Sequence, residues 1–200
     1  MGKVVVGLSM SLDGFIAGPN DGPNNPLGDG GGRLFDWWTA GTERLGPDDR
    51  LRPPARSRAV VEEMFRCGAI ITGRRTFDIA GGWGGHHPLS APFFLLTHTP
   101  PDRHVGPGTD GTVVTDGIES ALAQARAVAG ERDIAVSAAN VAQQYLRAGL
   151  LDEIDVDLVP VLLGAGVRLF ANLDRRQCNL ECTRVVVSDG VTHLRYRVVR

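Results

Sequence analysis

The sequence has few cysteines, no long apolar run and almost no excess charge, and each shortage excludes a class of protein. Its three cysteines, Cys67, Cys178 and Cys182, are an odd number without the spacing of a structural metal site. No run approaches the ~20 apolar residues of a membrane helix, and the apolar N-terminus is too short for a signal peptide and is broken by Asp13. We therefore expect a cytoplasmic protein with reduced thiols, no bound metal and no contact with membranes.

The charge and glycine patterns exclude two further classes. With 21 basic and 23 acidic residues the formal charge is −2, which gives no electrostatic case for nucleic acid. The glycine run 28–32 does not follow a strand, and Gly164-Ala165-Gly166 has Leu169 where a Rossmann fingerprint needs its third glycine. What remains is 200 residues with 42% hydrophobic content, which suits one globular domain, residues 1–200.

Short apolar runs alternate with helical patterns along the chain. We predict strands at 4–9, 70–72, 93–97, 111–115, 134–136 and 154–159, and helices at 55–67, 118–128 and 140–148. Asp189-Gly190 between two alternating runs, 180–187 and 191–198, predicts a terminal hairpin. This order favours an α/β protein with a mostly parallel sheet and an antiparallel edge.

The turn Gly73-Arg74-Arg75-Thr76 is the most informative motif. It follows a buried strand at the point where a helix begins, and a helix N-terminus carries unpaired N–H groups and partial positive charge. An arginine placed there can hold a phosphate through two donors. The motif therefore indicates a grip on a nucleotide phosphate, although an ordinary surface turn with a solvated arginine pair accounts for it equally well.

Four motifs in order resemble the dihydrofolate reductase-like family, in particular the bacterial branch that includes the riboflavin-biosynthesis reductase (RibD C-terminal) domain. They are the opening strand with its Ser11-Leu12-Asp13-Gly14-Phe15-Ile16-Ala17 turn, the Gly73-Arg74-Arg75-Thr76 turn, Gly149-Leu150-Leu151-Asp152-Glu153, and Pro160-Val161-Leu162-Leu163-Gly164-Ala165-Gly166. The resemblance implies a three-layer α/β/α fold and reduction of a small heterocyclic or carbonyl-bearing substrate with NADPH.

The resemblance also implies which residues meet the cofactor. Arg74 matches the position that meets the 2′-phosphate, and Arg75 and Thr76 match those near the pyrophosphate. Thr97 and His98, at the end of a predicted strand, match a second cluster around the adenosine phosphate, and the carboxyl end of a parallel strand is where α/β sheets bind ligands. Taken alone, His98 is more typical of a surface histidine.

One segment departs from the family pattern. Relatives place a glycine pair after the 134–136 strand, with a cis peptide in the reductases, whereas this chain has Ser137-Ala138-Ala139-Asn140. Side chains there restrict the backbone, although Ser137 could offer its hydroxyl to a phosphate and Asn140 could cap the next helix. Two alternatives follow: a non-catalytic ligand-binding or scaffold homologue that has lost the cofactor, and an enzyme that uses the crevice for another nucleotide-like ligand.

The candidates for catalysis are Asp13, Trp83 and Glu153. Asp13 is also typical of a turn aspartate that bonds its own backbone, and Glu153 of a cap or ion pair at a strand start. Trp83 lies in a glycine loop, where it could stack on a planar ligand. His86-His87 lack a third metal ligand and are interpreted as solvated. No carboxylate falls where folate reductases place theirs, because Glu62 and Glu63 lie near the end of their helix; a folate substrate is not supported.

We also expect a homodimer. Relatives in this branch commonly associate, and the terminal hairpin leaves an edge that must be covered, charged or paired. The dimer contact would be formed by the 185–187 run and the 194–199 strand. The 160–163 run is a second apolar segment that could contribute to it. Arg195, Arg197 and Arg200 could instead protect that edge by charge alone.

Overall fold

The computed structural model describes residues 1–45, 50–173 and 177–200 of the chain. The strands are β1 Val4–Ser11, β2 Phe15–Ala17, β3 Ala69–Gly73, β4 Phe93–Leu96, β5 Gly111–Val114, β6 Ile134–Val136, β7 Glu153–Val159, β8 Val167–Arg168, β9 Asn179–Ser188 and β10 Val191–Val199. The α-helices are α1 Arg58–Met64, α2 Arg74–Ile79, α3 Ile118–Ala129 and α4 Ala139–Arg147, and 3-10 segments run over Gly31–Thr39, Ala55–Ser57 and Gly81–Gly85. In these ranges no helix is long and apolar enough to cross a membrane.

Within the described residues, eight strands form one sheet in the order β5-β4-β3-β6-β1-β7-β10-β9. Neighbours from β5 to β7 are parallel, and β10 runs antiparallel to both β7 and β9. Strand β6 lies between β1 and β3, with Ile134 opposite both Val4 and Ala69. The predicted mostly parallel sheet with an antiparallel C-terminal hairpin is confirmed.

Helices cover both faces of the parallel part of the sheet, which is why its strands read as continuous apolar runs. The core between the sheet and α3 with α4 includes Val6, Ile71, Leu122 and Tyr145. On the opposite face, one cluster includes Leu34, Trp37 and Val61, and another includes Ile70, Phe77 and Phe93. The three-layer arrangement that the family resemblance implied is therefore present.

The C-terminal hairpin has one covered face and one open face. Asp189-Gly190 forms its turn, and Gly190 takes a φ of 75° that most side chains resist. On the covered face, Arg184 and Arg195 bond Glu63 of α1. The open face is exposed over β9 and partly buried over β10, where Leu194, Tyr196 and Val198 pack against the core. It carries no charged side chain among its eight members: Leu180, Cys182, Val185 and Val187 on β9, and Thr192, Leu194, Tyr196 and Val198 on β10.

A buried polar chain joins the covered face to the segment before α1. Asp157 and His193 lie 2.6 Å apart (Oδ1 to Nδ1), and His193 Nε2 lies 2.8 Å from the hydroxyl of Ser57. That hydroxyl in turn donates to Ser188 at 2.8 Å. The predicted helix over 55–67 is present as a 3-10 turn, Ala55–Ser57, followed by α1, which ends at Met64.

Candidate functional site

A cavity of about 800 Å³ opens at the carboxyl ends of β3, β4 and β6. Parallel strands bring these three ends, which are far apart in sequence, to one edge of the sheet. All ten residues that the sequence assigned to a cofactor line this cavity: Gly73, Arg74, Arg75, Thr76, Thr97, His98, Ser137, Ala138, Ala139 and Asn140. The structure thus brings the whole predicted set together.

Three helices begin at the wall of the cavity. The residues that precede α2, α3 and α4 are Gly73, Gly117 and Ala138, and none of the three makes a side-chain capping bond. Unpaired N–H groups and the positive ends of the helix dipoles therefore face the same space. This end of the cavity is suited to an anionic group.

The two arginines of the turn are held by carboxylates. Arg74 Nε donates to both oxygens of Asp78 at 2.8 and 2.9 Å, and its Nη1 donates to the carbonyl of Thr99 at 2.5 Å. Arg75 donates to the Asp21 carboxylate from Nη2 at 2.6 Å and from Nε at 3.2 Å, and the bonds to Asp21 raise the pKa of Arg75. Both cations are placed at the cavity, but each has an acidic partner.

The Ser137–Asn140 segment follows β6 and carries side chains where the family resemblance implies a glycine pair. Its peptide bonds are trans, as are all others in the described chain. The hydroxyl of Ser137 is buried without a hydrogen-bond partner among the described residues, so a ligand oxygen could satisfy it. Asn140 does not cap α4, because the helix begins one residue earlier and the Asn140 side chain accepts a bond from Gln144 at 2.7 Å. That part of the prediction was wrong.

Thr97 and His98 occupy the end of β4 as expected. Thr97 is buried, and its hydroxyl donates to the carbonyl of Thr99 at 3.0 Å and accepts from the Thr99 amide at 3.3 Å. His98 is exposed at the cavity mouth. The Thr97 hydroxyl therefore shapes the turn, while His98 is free to meet an incoming ligand.

Asp13 is an anchor at the end of β1. Its carboxylate accepts bonds from the Ser11 hydroxyl at 2.6 Å and from the amides of Gly164 at 2.7 Å and Leu163 at 3.1 Å. These bonds, led by that of Ser11, lower its pKa from 3.8 to about 2. Asp13 therefore bonds within its own turn, as the sequence indicated, and it also ties β1 to the loop at 163–164.

Trp83 and Glu153 lie away from the cavity. Trp83 packs against Phe77, Phe93 and His87, with ring centroids 6.0, 5.5 and 4.5 Å away. Glu153 begins β7 at the opposite end of the sheet, where its carboxylate bonds Lys3 Nζ at 2.6 Å. The structure therefore gives neither residue a contact with the candidate site.

His87 was predicted to be solvated, and that was wrong. Gly82, Trp83 and Gly84 take φ values of 61°, 50° and 62°, and this left-handed run brings Trp83 and His87 onto the core. Burial lowers the pKa of His87 from 6.5 to about 4. His86 remains exposed, with Nδ1 3.0 Å from Asp110, and no metal cluster exists among the described residues.

The sequence did not identify the apolar wall of the cavity or its acidic residue. Leu8, Ile16, Leu27 and Phe35 line one side, and Asp21 faces the arginines. Leu8 lies in the second half of β1. It could have been predicted, because α/β sheets bind ligands at the carboxyl ends of their parallel strands. Asp21 lies in a Gly/Pro/Asn-rich loop, where nothing local indicates its partner.

The fold is that of a dihydrofolate reductase-like α/β protein, with a cavity at the carboxyl ends of its strands. The profile of the RibD C-terminal domain family matches residues 94–194, about half of the chain, and the protein belongs to that family. No curated protein sequence matches the chain significantly.

Solved structures agree on the fold. A Shewanella protein described as a riboflavin biosynthesis protein is 24% identical, with all of both chains covered and a TM-score of 0.71. A Thermotoga maritima deaminase/5-amino-6-(5-phosphoribosylamino)uracil reductase is 13% identical with a TM-score of 0.62, and the match covers 99% of this chain and 57% of that one. Enterococcus faecalis dihydrofolate reductase, complexed with NADP(H), is 13% identical with a TM-score of 0.58, covering 100% and 98%.

Proposed function

We propose that the protein is an NADPH-dependent reductase that transfers hydride to a small heterocyclic or carbonyl-bearing substrate. The observation that carries this proposal is the convergence of all ten predicted cofactor residues on one cavity. Membership of the RibD C-terminal domain family supports it, as does the fold shared with a dihydrofolate reductase complexed with NADP(H). The uracil reductase named for the Thermotoga relative offers one substrate class to test first.

The residues present fit such a cofactor. We assign the 2′-phosphate to Arg74 and His98, at the turn that the Thr97 hydroxyl holds, and the pyrophosphate to Arg75 and Ser137. Support comes from the three uncapped helix starts and from the partnerless Ser137 hydroxyl, which together supply donors without a matching acceptor. The cofactor supplies the hydride, and the protein supplies binding and orientation.

The apolar wall suits a flat ring. Leu8, Ile16 and Phe35 offer aliphatic and aromatic surface beside the strand ends and keep water from it. Asp21, Arg74, Arg75 and His98 are the titratable side chains of this cavity in the described chain, and only His98 among them lacks an ion-pair partner there. We therefore expect a substrate recognised mainly by its planar apolar surface.

A second candidate is a ligand-binding homologue that has lost the cofactor. One observation and one inference favour it: Asp78 and Asp21 already pair with Arg74 and Arg75, and Ser137-Ala138-Ala139 stands where the family resemblance implies a glycine pair. A carboxylate beside each arginine opposes the approach of a phosphate. Cofactor affinity is the property on which the two candidates differ.

A direct titration separates these candidates. We expect NADPH to bind at micromolar concentration, measured by calorimetry or by quenching of tryptophan fluorescence, and to bind more tightly than NADH. If no binding of NADPH were detected, the reductase proposal would fail and the ligand-binding homologue would be the remaining candidate. Equal affinity for NADPH and NADH would show that Arg74, Thr97 and His98 do not form a site for the 2′-phosphate.

We also propose that the protein works in the cytoplasm as a homodimer. The free thiols of Cys67, Cys178 and Cys182 suit a reducing compartment. The open face of the hairpin supports self-association, because Val185 and Val187 are 55% and 61% exposed and no charged side chain lies on that face.

Light scattering with two matched variants tests the dimer. Val187→Arg places a charge on the open face and should give the 21.4 kDa monomer. Val128→Arg makes the same change at an exposed position on α3 and should leave the dimer intact. Wild-type protein that is monomeric at micromolar concentration would overturn the dimer, and a Val187→Arg dimer would place the interface elsewhere.

A further inference from the structure

The loop over residues 18–30, which joins β2 to the 3-10 helix at Gly31–Thr39, holds its shape through its own bonds. The Gly18 amide donates to the carbonyl of Leu27 at 2.8 Å. The Asp29 carboxylate accepts from the side chains of Asn20 at 2.6 Å and Asn25 at 2.9 Å. These contacts give the loop a compact local structure.

One residue pair fastens this loop across the cavity to α2. The hydrogen bonds that join loop and helix in the described chain all run between Arg75 and Asp21: two to the carboxylate and one, at 3.1 Å, to the Asp21 carbonyl. The Asp21 side chain is only 12% exposed, whereas that of Arg75 is 66% exposed. Asp21, Pro26 and Leu27 of the loop and Arg75 and Thr76 of α2 all line the cavity, so the pair joins two segments of its lining.

We infer that Asp21 sets the affinity of the cavity for phosphate-bearing ligands, because it competes with phosphate for Arg75 and frees the 18–30 loop when it is displaced. The inference rests on the proposed function for the identity of the natural ligand.

The chemistry of the pair supports competition. A carboxylate and a phosphate use the same fork of guanidinium donors, and Asp21 occupies the fork formed by Nε and Nη2 of Arg75. Arg74 provides a contrast, since its carboxylate partner Asp78 lies four residues away on the same helix. Displacement of Asp78 therefore releases no loop, while displacement of Asp21 removes the bonds that hold the loop to α2.

Two substitutions of equal charge distinguish this role from a general effect. Asp21→Asn removes the charge that competes for Arg75. Asp29→Asn removes the same charge from the same loop at a residue that bonds only within the loop in the described structure. Because Arg75 is well exposed and the pair is partly screened, we expect Asp21→Asn to bind NADPH and inorganic pyrophosphate about two- to fivefold more tightly. Asp29→Asn should show no gain.

Hydrogen exchange of peptides that cover residues 18–30 supplies a readout of the loop itself. In the wild-type protein, NADPH should increase exchange across the loop, since its binding displaces Asp21. Arg75→Gln should exchange rapidly without ligand and should bind NADPH more weakly than the wild type.

Other outcomes overturn the inference. Equal or weaker binding by Asp21→Asn, or a loop that NADPH protects in the wild type, would make the pair a structural tie. An equal gain in Asp29→Asn would make the effect one of net charge. If no variant bound NADPH but pyrophosphate still preferred Asp21→Asn, the proposed function would fail and the inference would stand. If NADPH bound the wild type and Asp21→Asn equally, the inference would fail and the proposed function would stand. If neither NADPH nor pyrophosphate bound the protein, both would be overturned.

Discussion

The buried imidazole of His87 makes the stability of this protein depend on pH. The ring lies 4.5 Å from that of Trp83, and its Nδ1 accepts the amide of Leu89 at 3.2 Å. Burial lowers the pKa of His87 from 6.5 to about 4, so the folded protein keeps the ring neutral at pH values where the unfolded chain protonates it.

The sign and size of the effect follow from this difference. Between pH 6.5 and about 4 the unfolded chain binds more protons at this site than the folded chain, so the free energy of unfolding falls as the pH falls. A pKa change from 6.5 to about 4 corresponds to about 3 kcal/mol over the whole window. Stability should be unaffected by this group above pH 7 and should lose nothing further from it below pH 4.

Urea unfolding at a series of pH values measures the effect. His87→Asn keeps an acceptor for the Leu89 amide but does not protonate, so its free energy of unfolding should fall less steeply than that of the wild type between pH 6.5 and 4. The same replacement at the exposed His98 serves as the control and should leave the wild-type slope unchanged. Wild-type and His87→Asn curves that run parallel through this window would refute the reasoning.

Three further predictions concern the site and the core. Arg74→Ala should weaken the binding of NADPH by about 1.5–2 kcal/mol and leave the binding of NADH nearly unchanged. The loss is in the lower part of the range for a charge-assisted bond, because Asp78 already shares the cation. Equal losses for the two cofactors in calorimetry would contradict the assignment. His193→Ala should cost about 3–5 kcal/mol in urea unfolding, since it leaves the Asp157 carboxylate buried without its partner ring, whereas Ser57→Ala should cost only about 1–2 kcal/mol; similar losses would show that Asp157 finds another partner. Because the Ser11 bond lowers the pKa of Asp13 to about 2, wild-type stability should fall as the pH drops from about 4 to 2, and Asp13→Asn should be less stable at neutral pH but flatter in that range by acid titration.

The features that sequence reasoning predicted are those encoded over short distances. Apolar runs and the Asp189-Gly190 turn predicted the strands and the hairpin. Because ligands bind at the carboxyl ends of parallel strands, Gly73, Thr97 and Ser137 could then be predicted to line one cavity. The parallel sheet brings these residues together, because it aligns the carboxyl ends of strands that lie far apart in the chain.

The features that it missed depend on tertiary contact. Asp21 and Arg75 are 54 residues apart, and no local pattern pairs them. The burial of His87 follows from positive φ values around Trp83, which a glycine-rich segment permits but does not specify. Asn140 was taken for a cap because its residue type is common there, yet α4 starts one residue sooner with Ala138 at its boundary.

The position of β1 in the sheet has a consequence for how the chain is made. This strand is synthesised before the other strands of the sheet, and it pairs with β6 and β7, which begin at Ile134 and Glu153. At about 5–20 residues per second, roughly 6–25 s of synthesis separate the end of β1 from the arrival of its first partner. During that interval the apolar Val4 and Val6 have no strand beside them, and the sheet cannot close around its centre until most of the polypeptide has emerged. Assembly therefore depends on long-range pairing, which is slow and exposes the growing chain to aggregation until β6 and β7 have been made.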